Sequence, residues 1–214
     1  MTPDLVIFDC DGVLVDTESV SNTAISRNLA RYGLHIPPSE CITLFVGGTM
    51  QSVMQEALRM GAPLPGDWLD EIYAEMFAAL AQGVAVIDGV FDILDQLDQQ
   101  GIATCVASNG PDAKMDVTLT PSGLHDRFAG RIFSAHSHGK PKPEPDLLLV
   151  AAEHLGAAPE RCVMIDDSPS GVISAVAAGM RAIGYDERDD PGRLSRHGAE
   201  VITSMRALPE LLGL

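Results

Sequence analysis

Hydrophobic positions along the chain follow two periods, and the change between them divides it. Leu5 to Phe8 form an unbroken apolar run of strand-favouring residues that meets Asp9-Cys10-Asp11-Gly12, so a buried strand ends at an acidic turn. From Thr17 to Arg31, apolar residues at Val20, Ala24, Ile25 and Leu29, continuing to Tyr32, predict a helix stopped by Gly33. Pro37-Pro38 breaks the chain before a short helix over Ser39–Phe45. Gly47-Gly48 is a turn, and Thr49 is placed to cap a helix carrying Met50, Val53, Met54, Ala57 and Leu58 on one face, ended by Gly61. Asp67 is placed to cap another, with Leu69, Ile72, Tyr73, Met76 and Leu80. Residues 17–81 therefore read as helical throughout.

Beyond Val84 helices and strands alternate. A helix opened by Asp88-Gly89 carries Phe91, Leu94 and Leu97; strands are predicted over 102–108, 131–134, 161–165, 181–185 and 201–202. Helices over 112–119, 146–155 and 168–178 separate them, and a further helix closes the chain. Strands spaced by helices of about ten residues make parallel β-α-β units, hence an α/β fold with an open parallel sheet covered by helices. The predicted organisation is a core of residues 1–16 and 82–214 with an all-helical insert at 17–81. Ligands of such sheets bind beyond the carboxyl ends of the strands. An insert placed directly after the first strand is positioned topologically to act as a lid.

Composition excludes several alternatives. The chain has 214 residues and a formal net charge of −16, which opposes nucleic-acid binding, and its three lysines all follow residue 110. There is no apolar run long enough for a membrane span and no signal-peptide pattern at Met1-Thr-Pro-Asp. The four cysteines lack metal-type or paired spacing, and Cys10, Cys105 and Cys162 sit in or beside strand-like runs as small core residues. The expectation is a reduced, cytoplasmic, enzyme-sized protein with no nucleic-acid or membrane partner, a monomer or homodimer.

Candidate chemistry is then sought at the strand ends. These carry Asp9 and Asp11, then Ser108-Asn109, then His136 to Lys140, then Asp166-Asp167-Ser168. In a strand, residues two apart point the same way, so Asp9 and Asp11 bring together two carboxylates that call for a cation, most simply Mg²⁺. A serine hydroxyl and backbone N–H groups at a helix N-terminus suit phosphate, and a lysine supplies compensating charge. Lys142 competes with Lys140 for that role but lies two residues further on. His136-x-His138 lacks a matching third ligand, Asp16 is placed to start the first helix of the insert, and Trp68 to pack inside it.

Asp9-x-Asp11-Gly, Ser108-Asn109, Lys140-Pro and Asp166-Asp167 resemble, in order, the four motifs of the haloacid dehalogenase superfamily, and the helical insert resembles its first cap class. The resemblance covers essentially the whole chain and implies a Rossmann-like core. It implies that Asp9 is a nucleophile forming an aspartyl phosphate and that Asp11 is the general acid and base, with its main-chain carbonyl on Mg²⁺. By the same resemblance Ser108 and the N–H of Asn109 hold phosphate oxygens, Lys140 neutralises charge, Asp167 binds the metal directly, and Asp166 meets it either directly or through water.

Dehalogenases of this superfamily lack the second aspartate and need no metal, so Asp11 and Asp167 point to phosphoryl chemistry. Receiver domains lack a lid. The nearest rival is a β-phosphoglucomutase-like sugar-phosphate mutase. Such mutases carry a histidine early in the first cap helix and a Lys-Gly-x-Ser-Arg turn; here those places hold Ser21 and Val46-Gly47-Gly48-Thr49-Met50. Hydrolysis is the preferred reading. The segment Ser108-Asn-Gly-Pro-Asp-Ala-Lys-Met115 resembles the corresponding loop of bacterial sugar-phosphate phosphatases, including 6-phosphogluconate phosphatases. That implies a Mg²⁺-dependent phosphatase acting on a small sugar phosphate or sugar-acid phosphate, with Gly47, Gly48 and Asn109 touching it. Lys114 has two readings, an ammonium that meets a substrate carboxylate or an exposed helix lysine, the second being the simpler.

Overall fold

A computed structural model describes residues 2–45, 50–187, 190 and 192–214. The chain divides into two compact units, Met1–Val15 with Ala85–Leu214, and Asp16–Val84.

The first unit is built on a six-stranded sheet in the order β3-β2-β1-β4-β5-β6, every pair parallel. The strands are β1 (Leu5–Phe8), β2 (Ala103–Ser108), β3 (Ile132–Ser134), β4 (Cys162–Asp166), β5 (Arg181–Tyr185) and β6 (Glu200–Ile202). β1 is wholly buried because it is central and covered on both faces, the setting in which a strand reads as a continuous apolar run. Its alternate residues face opposite ways. Leu5 and Ile7 join Cys105, Ala107 and Met164 in a core completed by Leu147, Leu148 and Ala151 of α8 (Asp146–His154) and Val172 and Ala175 of α9 (Pro169–Ala177). Phe8 lies against Phe128, with ring centroids 6.4 Å apart.

Two further helices, α5 (Val90–Gln99) and α6 (Asp112–Leu119), flank β2 in the chain. Phe91, expected inside on α5, is exposed; the buried stripe is Val90, Ile93, Leu94 and Leu97. The chain runs from β1 to β2 and β3 on one side, then crosses to β4, β5 and β6 on the other. The strand order reverses between β1 and β4, which is where an open α/β sheet leaves a crevice.

The second unit contains helices α1 (Thr17–Arg31), α2 (Pro38–Phe45), α3 (Met50–Arg59) and α4 (Trp68–Leu80). Asp16 caps α1, accepting from the Ser19 N–H at 3.1 Å and the Ser19 hydroxyl at 2.6 Å. Ile25, Leu29, Val53, Ala57, Trp68 and Ile72 form this unit's own core. Trp68 is fully buried, and its indole N–H donates to Asn28 Oδ1 at 2.6 Å.

Two expectations for these helices change. The Asp67 side chain makes no capping bond; its backbone is already turn-like, with φ −98° and ψ 15°, instead of the extended form an N-cap needs. Tyr73 and Leu58 face solvent, so the apolar stripes are narrower than drawn. The proposed Thr49 cap lies outside the described residues. No described helix is long and apolar enough to cross a membrane.

Candidate active site

The site gathers at the β1–β4 crevice. The Asp9 N–H donates to Ile165 O at 2.9 Å, which carries the β1–β4 pairing one residue past the strand and holds Asp9 beside Asp166 at the end of β4. The chain then turns sharply. Leu14 N donates to Cys10 O at 3.0 Å and Gly12 N to Val15 O at 2.9 Å. Gly12 has φ 76°, and a Cβ there would sit 2.5 Å from Asp167 Oδ2. Glycine is required on both counts. The loop is tied back into its own unit by the Val15–Val86 bridge and a 3.0 Å bond from Ile87 N to Leu14 O.

One buried ammonium organises the carboxylates. Lys142 Nζ donates to Asp9 Oδ1 at 2.8 Å, Asp166 Oδ2 at 2.6 Å and Ala107 O at 3.2 Å. Those three acceptors account for its three N–H groups. Burial opposes its charge, but Asp166 and Asp9 outweigh that and raise its pKa. Asp166 is fully buried, and its other oxygen accepts from the Ser168 N–H at 2.9 Å and hydroxyl at 2.6 Å. Ser168 also caps α9 through a 3.1 Å bond from Gly171 N. A Cβ at Gly171 would fall 1.8 Å from Asp166 Oδ2, so the first turn of α9 can approach this carboxylate only as glycine.

This corrects the lysine expected from sequence. Lys140 projects to the surface, its side chain 67% exposed and 3.4 Å from Asp146, whereas the Lys142 side chain is 3% exposed. The cause is twofold. The short helix α7 (Ala135–His138), absent from the sequence reading, advances only about 1.5 Å per residue and delays the chain's return to the site. Asn109 then grips the lysine by its backbone: Oδ1 accepts from Lys142 N at 2.7 Å and Nδ2 donates to Lys142 O at 2.9 Å. Asn109, expected to touch substrate, thus commits its side chain to aiming Lys142. Lys140 and Lys142 both precede proline, so the dipeptide alone does not distinguish them.

Ser108 is buried at the end of β2, its Oγ accepting from Gly110 N at 3.1 Å, while Ser134 Oγ donates to Gly110 O at 2.7 Å from the end of β3. The turn carrying Ser108 and Asn109 is therefore anchored to two adjacent strands. Asp11 is placed differently from the expectation that its carboxylate joins Asp9 on a cation. Its Oδ2 accepts from Lys114 Nζ at 2.6 Å. Of the two readings of Lys114, the exposed helix lysine does not hold, since its side chain is only 24% exposed. Burial works against its ammonium, but Asp11 more than compensates and raises its pKa. Gly47 and Gly48 lie outside the described residues.

The cluster able to share a cation is Asp9, Asp166 and Asp167, whose ligand oxygens lie within 4.8 Å of one another. All donors are hard oxygens, which suits Mg²⁺ or a similar ion. Charge points the same way: Lys142 pairs with Asp9 and Asp166, and Lys114 with Asp11, while the close approach of the Asp9, Asp166 and Asp167 oxygens puts like charges together, a repulsion that a divalent cation relieves. Burial pushes the Asp9 carboxyl up to about 7 despite Lys142, with Asp166 and Asp11 adding repulsion. The donor set therefore fits a divalent metal.

Residues 6–185 match the haloacid dehalogenase-like hydrolases, and the chain belongs to that family. It is similar to 6-phosphogluconate phosphatase of Escherichia coli K12, 28% identical over 96% of this chain and 93% of that one. Hexitol phosphatase A of the same organism is 30% identical, with 92% of each chain covered. A hydrolase of the family from Deinococcus radiodurans R1, solved with bound phosphate and sodium, superposes with a TM-score of 0.87 at 32% identity, covering 99% of this chain and 96% of the other. Within the family, the chain is a phosphoric monoester hydrolase of the phosphatase group.

Proposed function

We propose that this enzyme hydrolyses a small phosphorylated metabolite, a sugar phosphate or sugar-acid phosphate such as 6-phosphogluconate, with Mg²⁺ and through an aspartyl phosphate on Asp9, as a cytoplasmic enzyme. The observation that carries it is the buried Lys142 bridging Asp9 and Asp166 beside Asp167, three carboxylates whose oxygens lie close enough to share a divalent ion. Asp9 and Asp167 would hold Mg²⁺ with the main-chain carbonyl of Asp11, while Asp166, bonded at both oxygens, orients Lys142 and its neighbours. Bound there, Mg²⁺ neutralises phosphate charge and aligns it for in-line attack.

The side chains then divide the work. Asp9 forms the bond to phosphorus as the substrate's P–O bond breaks, and Asp11 gives a proton to the departing oxygen. In the second half a water attacks phosphorus, its proton passes to Asp11, and Asp9 leaves unmodified. Ser108 and the N–H groups of its turn hold phosphate oxygens, and Lys142 keeps Asp9 oriented and its charge compensated. The helical unit at 17–81 selects the substrate.

Hydrolysis of p-nitrophenyl phosphate with Mg²⁺ tests the chemistry. Turnover is expected to stop with EDTA and to fall on the order of 10⁴-fold or more in Asp9→Asn, as for loss of a nucleophile. Turnover that survives either change sinks the proposal. A panel of phosphorylated sugars and sugar acids then ranks substrates. A hexose 1-phosphate converted to its 6-phosphate faster than phosphate is released would replace hydrolysis with mutase chemistry.

A further inference from the structure

Lys114 belongs to none of the strand-end groups, yet it reaches the acid–base residue. Its ammonium lies 2.6 Å from Asp11 Oδ2. It cannot be replaced there by Lys142, whose three N–H groups already serve Asp9, Asp166 and Ala107. Helix α6 docks on the turn after β1 at two levels one helical turn apart. Lys114 meets Asp11, and Thr118 meets Cys10 with Oγ1 and Sγ 3.9 Å apart. Residues four apart share a helix face, so the pairing of 114 and 118 with 11 and 10 sets the helix in register with the turn. The helix start is itself fixed, since Lys114 N donates to Pro111 O at 2.9 Å. A Cβ built on Gly110 would lie 3.4 Å from Ser108 Oγ, 3.6 Å from Lys114 Cδ and 3.8 Å from Asp11 Oδ2. The lysine stem, the Ser108 hydroxyl and the Asp11 carboxylate thus all border Gly110, in the turn that follows β2.

We propose that Lys114 is the positioning residue for Asp11, its ammonium clamping Oδ2 so that the carboxyl group is presented to the leaving oxygen in the first half-reaction and to water in the second. The proposal rests on the phosphatase reading above. A general acid must lie within hydrogen-bond reach of the atom it protonates, and a misplacement of about 1 Å is worth on the order of 100-fold in rate. A clamp on one carboxylate oxygen fixes rotation about the side-chain bonds and so holds the whole group in place.

The test compares wild type with Lys114→Met and Lys114→Arg on an alkyl phosphate and on p-nitrophenyl phosphate, with thermal melts to verify folding. Nitrophenolate departs without a proton, so Lys114→Met should still form the Asp9–phosphorus bond and release nitrophenol quickly. Transfer of the water's proton to Asp11 is then slowed. The expected result is a nitrophenol burst and more acid-trapped phosphorylated protein than in wild type. On the alkyl phosphate both steps slow, and kcat falls roughly 10- to 100-fold with KM changed less than about threefold. Lys114→Arg, which keeps a donor on Asp11, should recover part of the loss. A rise in KM at unchanged kcat would overturn the proposal in favour of direct substrate binding, and unchanged kinetics would reduce the pair to packing. If Lys114→Met does not fold, absence of the same burst and kcat loss in Lys114→Arg and Lys114→Gln together overturns it. Inactive wild type would sink the phosphatase reading itself, a result distinct from active wild type with indifferent variants.

Discussion

Two regions of this protein gather carboxylates around a single cation, and they behave in opposite ways. In the helical unit, Arg31 pairs with Glu71 at 2.5 Å and with Glu75; Asn28 donates to Glu71 at 2.9 Å and Glu75 at 3.1 Å, and the Tyr32 hydroxyl donates to Glu71 at 2.6 Å. In the sheet unit, Lys142 pairs with Asp9 and Asp166. The glutamates keep side-chain exposures of 31% and 35%, the aspartates only 11% and 1%. Tyr32 and the other donors hold Glu71 below the usual carboxylate range, whereas burial lifts Asp9 to about 7. Partial exposure and neutral donors offset the charge of the first cluster, which joins α1 to α4. The second is buried, and the oxygens of Asp9 and Asp166 lie close enough to those of Asp167 for the three to share a divalent ion, the arrangement on which the proposed function rests.

The strongest way to break this contrast is to remove each lysine of the Lys140/Lys142 pair. Lys142→Met leaves two buried carboxylates uncompensated, so stability should fall by about 3–5 kcal/mol in denaturant titrations. The phosphatase rate should fall on the order of 10³-fold, as for loss of a preorganised charge. Lys140→Met should alter stability by less than about 0.5 kcal/mol and leave the rate within about twofold. Equal effects of the two would undo the assignment.

A second measurement sharpens the contrast through pH. The Asp9 pKa in the folded protein, about 7, lies above its ordinary value of 3.8. Between those values the folded metal-free protein keeps a proton that the unfolded chain has lost. Stability in EDTA should therefore decline as pH rises through this window, with the loss complete above about 7. Asp9→Asn should flatten the decline, and Mg²⁺ at pH 8 should reverse it by binding the folded state. A stability that rises over the same range in EDTA would contradict the burial argument.

The smallest expected effect lies in the helical unit. Asn28→Ala removes the acceptor of the Trp68 indole N–H and a donor to both glutamates. The expected loss is about 1–3 kcal/mol, seen as a lower melting temperature. Mg²⁺ affinity measured by calorimetry should not change. A change would mean that the two clusters are coupled.

Legibility from sequence followed the range of each interaction. The bounds of β1, α1, α6 and β5 are as local patterning predicted, since apolar period, a capping aspartate and stopping glycines act within one element. The four strand ends were found because sheet topology follows from the alternation of helices and strands. What local pattern did not reveal were contacts between residues distant in sequence. Lys142 is selected over Lys140 by Asn109, 33 residues earlier, and by the unpredicted helix α7. The Lys114–Asp11 pair spans 103 residues, and nothing near either residue signals it. Phe91, Tyr73 and Leu58 fit their helical periods but sit at the edge of each stripe, where cover depends on the neighbouring element.

The placement of the cysteines has a practical consequence. Cys10, Cys41, Cys105 and Cys162 are all buried free thiols, and Cys10, between Asp9 and Asp11, has its pKa raised well above normal by burial first and by those carboxylates second. Alkylating reagents and peroxides act on exposed thiolates, so the native protein presents them with poor targets. A single cysteine introduced on the surface of either unit would then be the one reactive thiol, and two such positions would accept a fluorophore pair. The distance between the helical and sheet units could be followed in solution during turnover without removing any native cysteine.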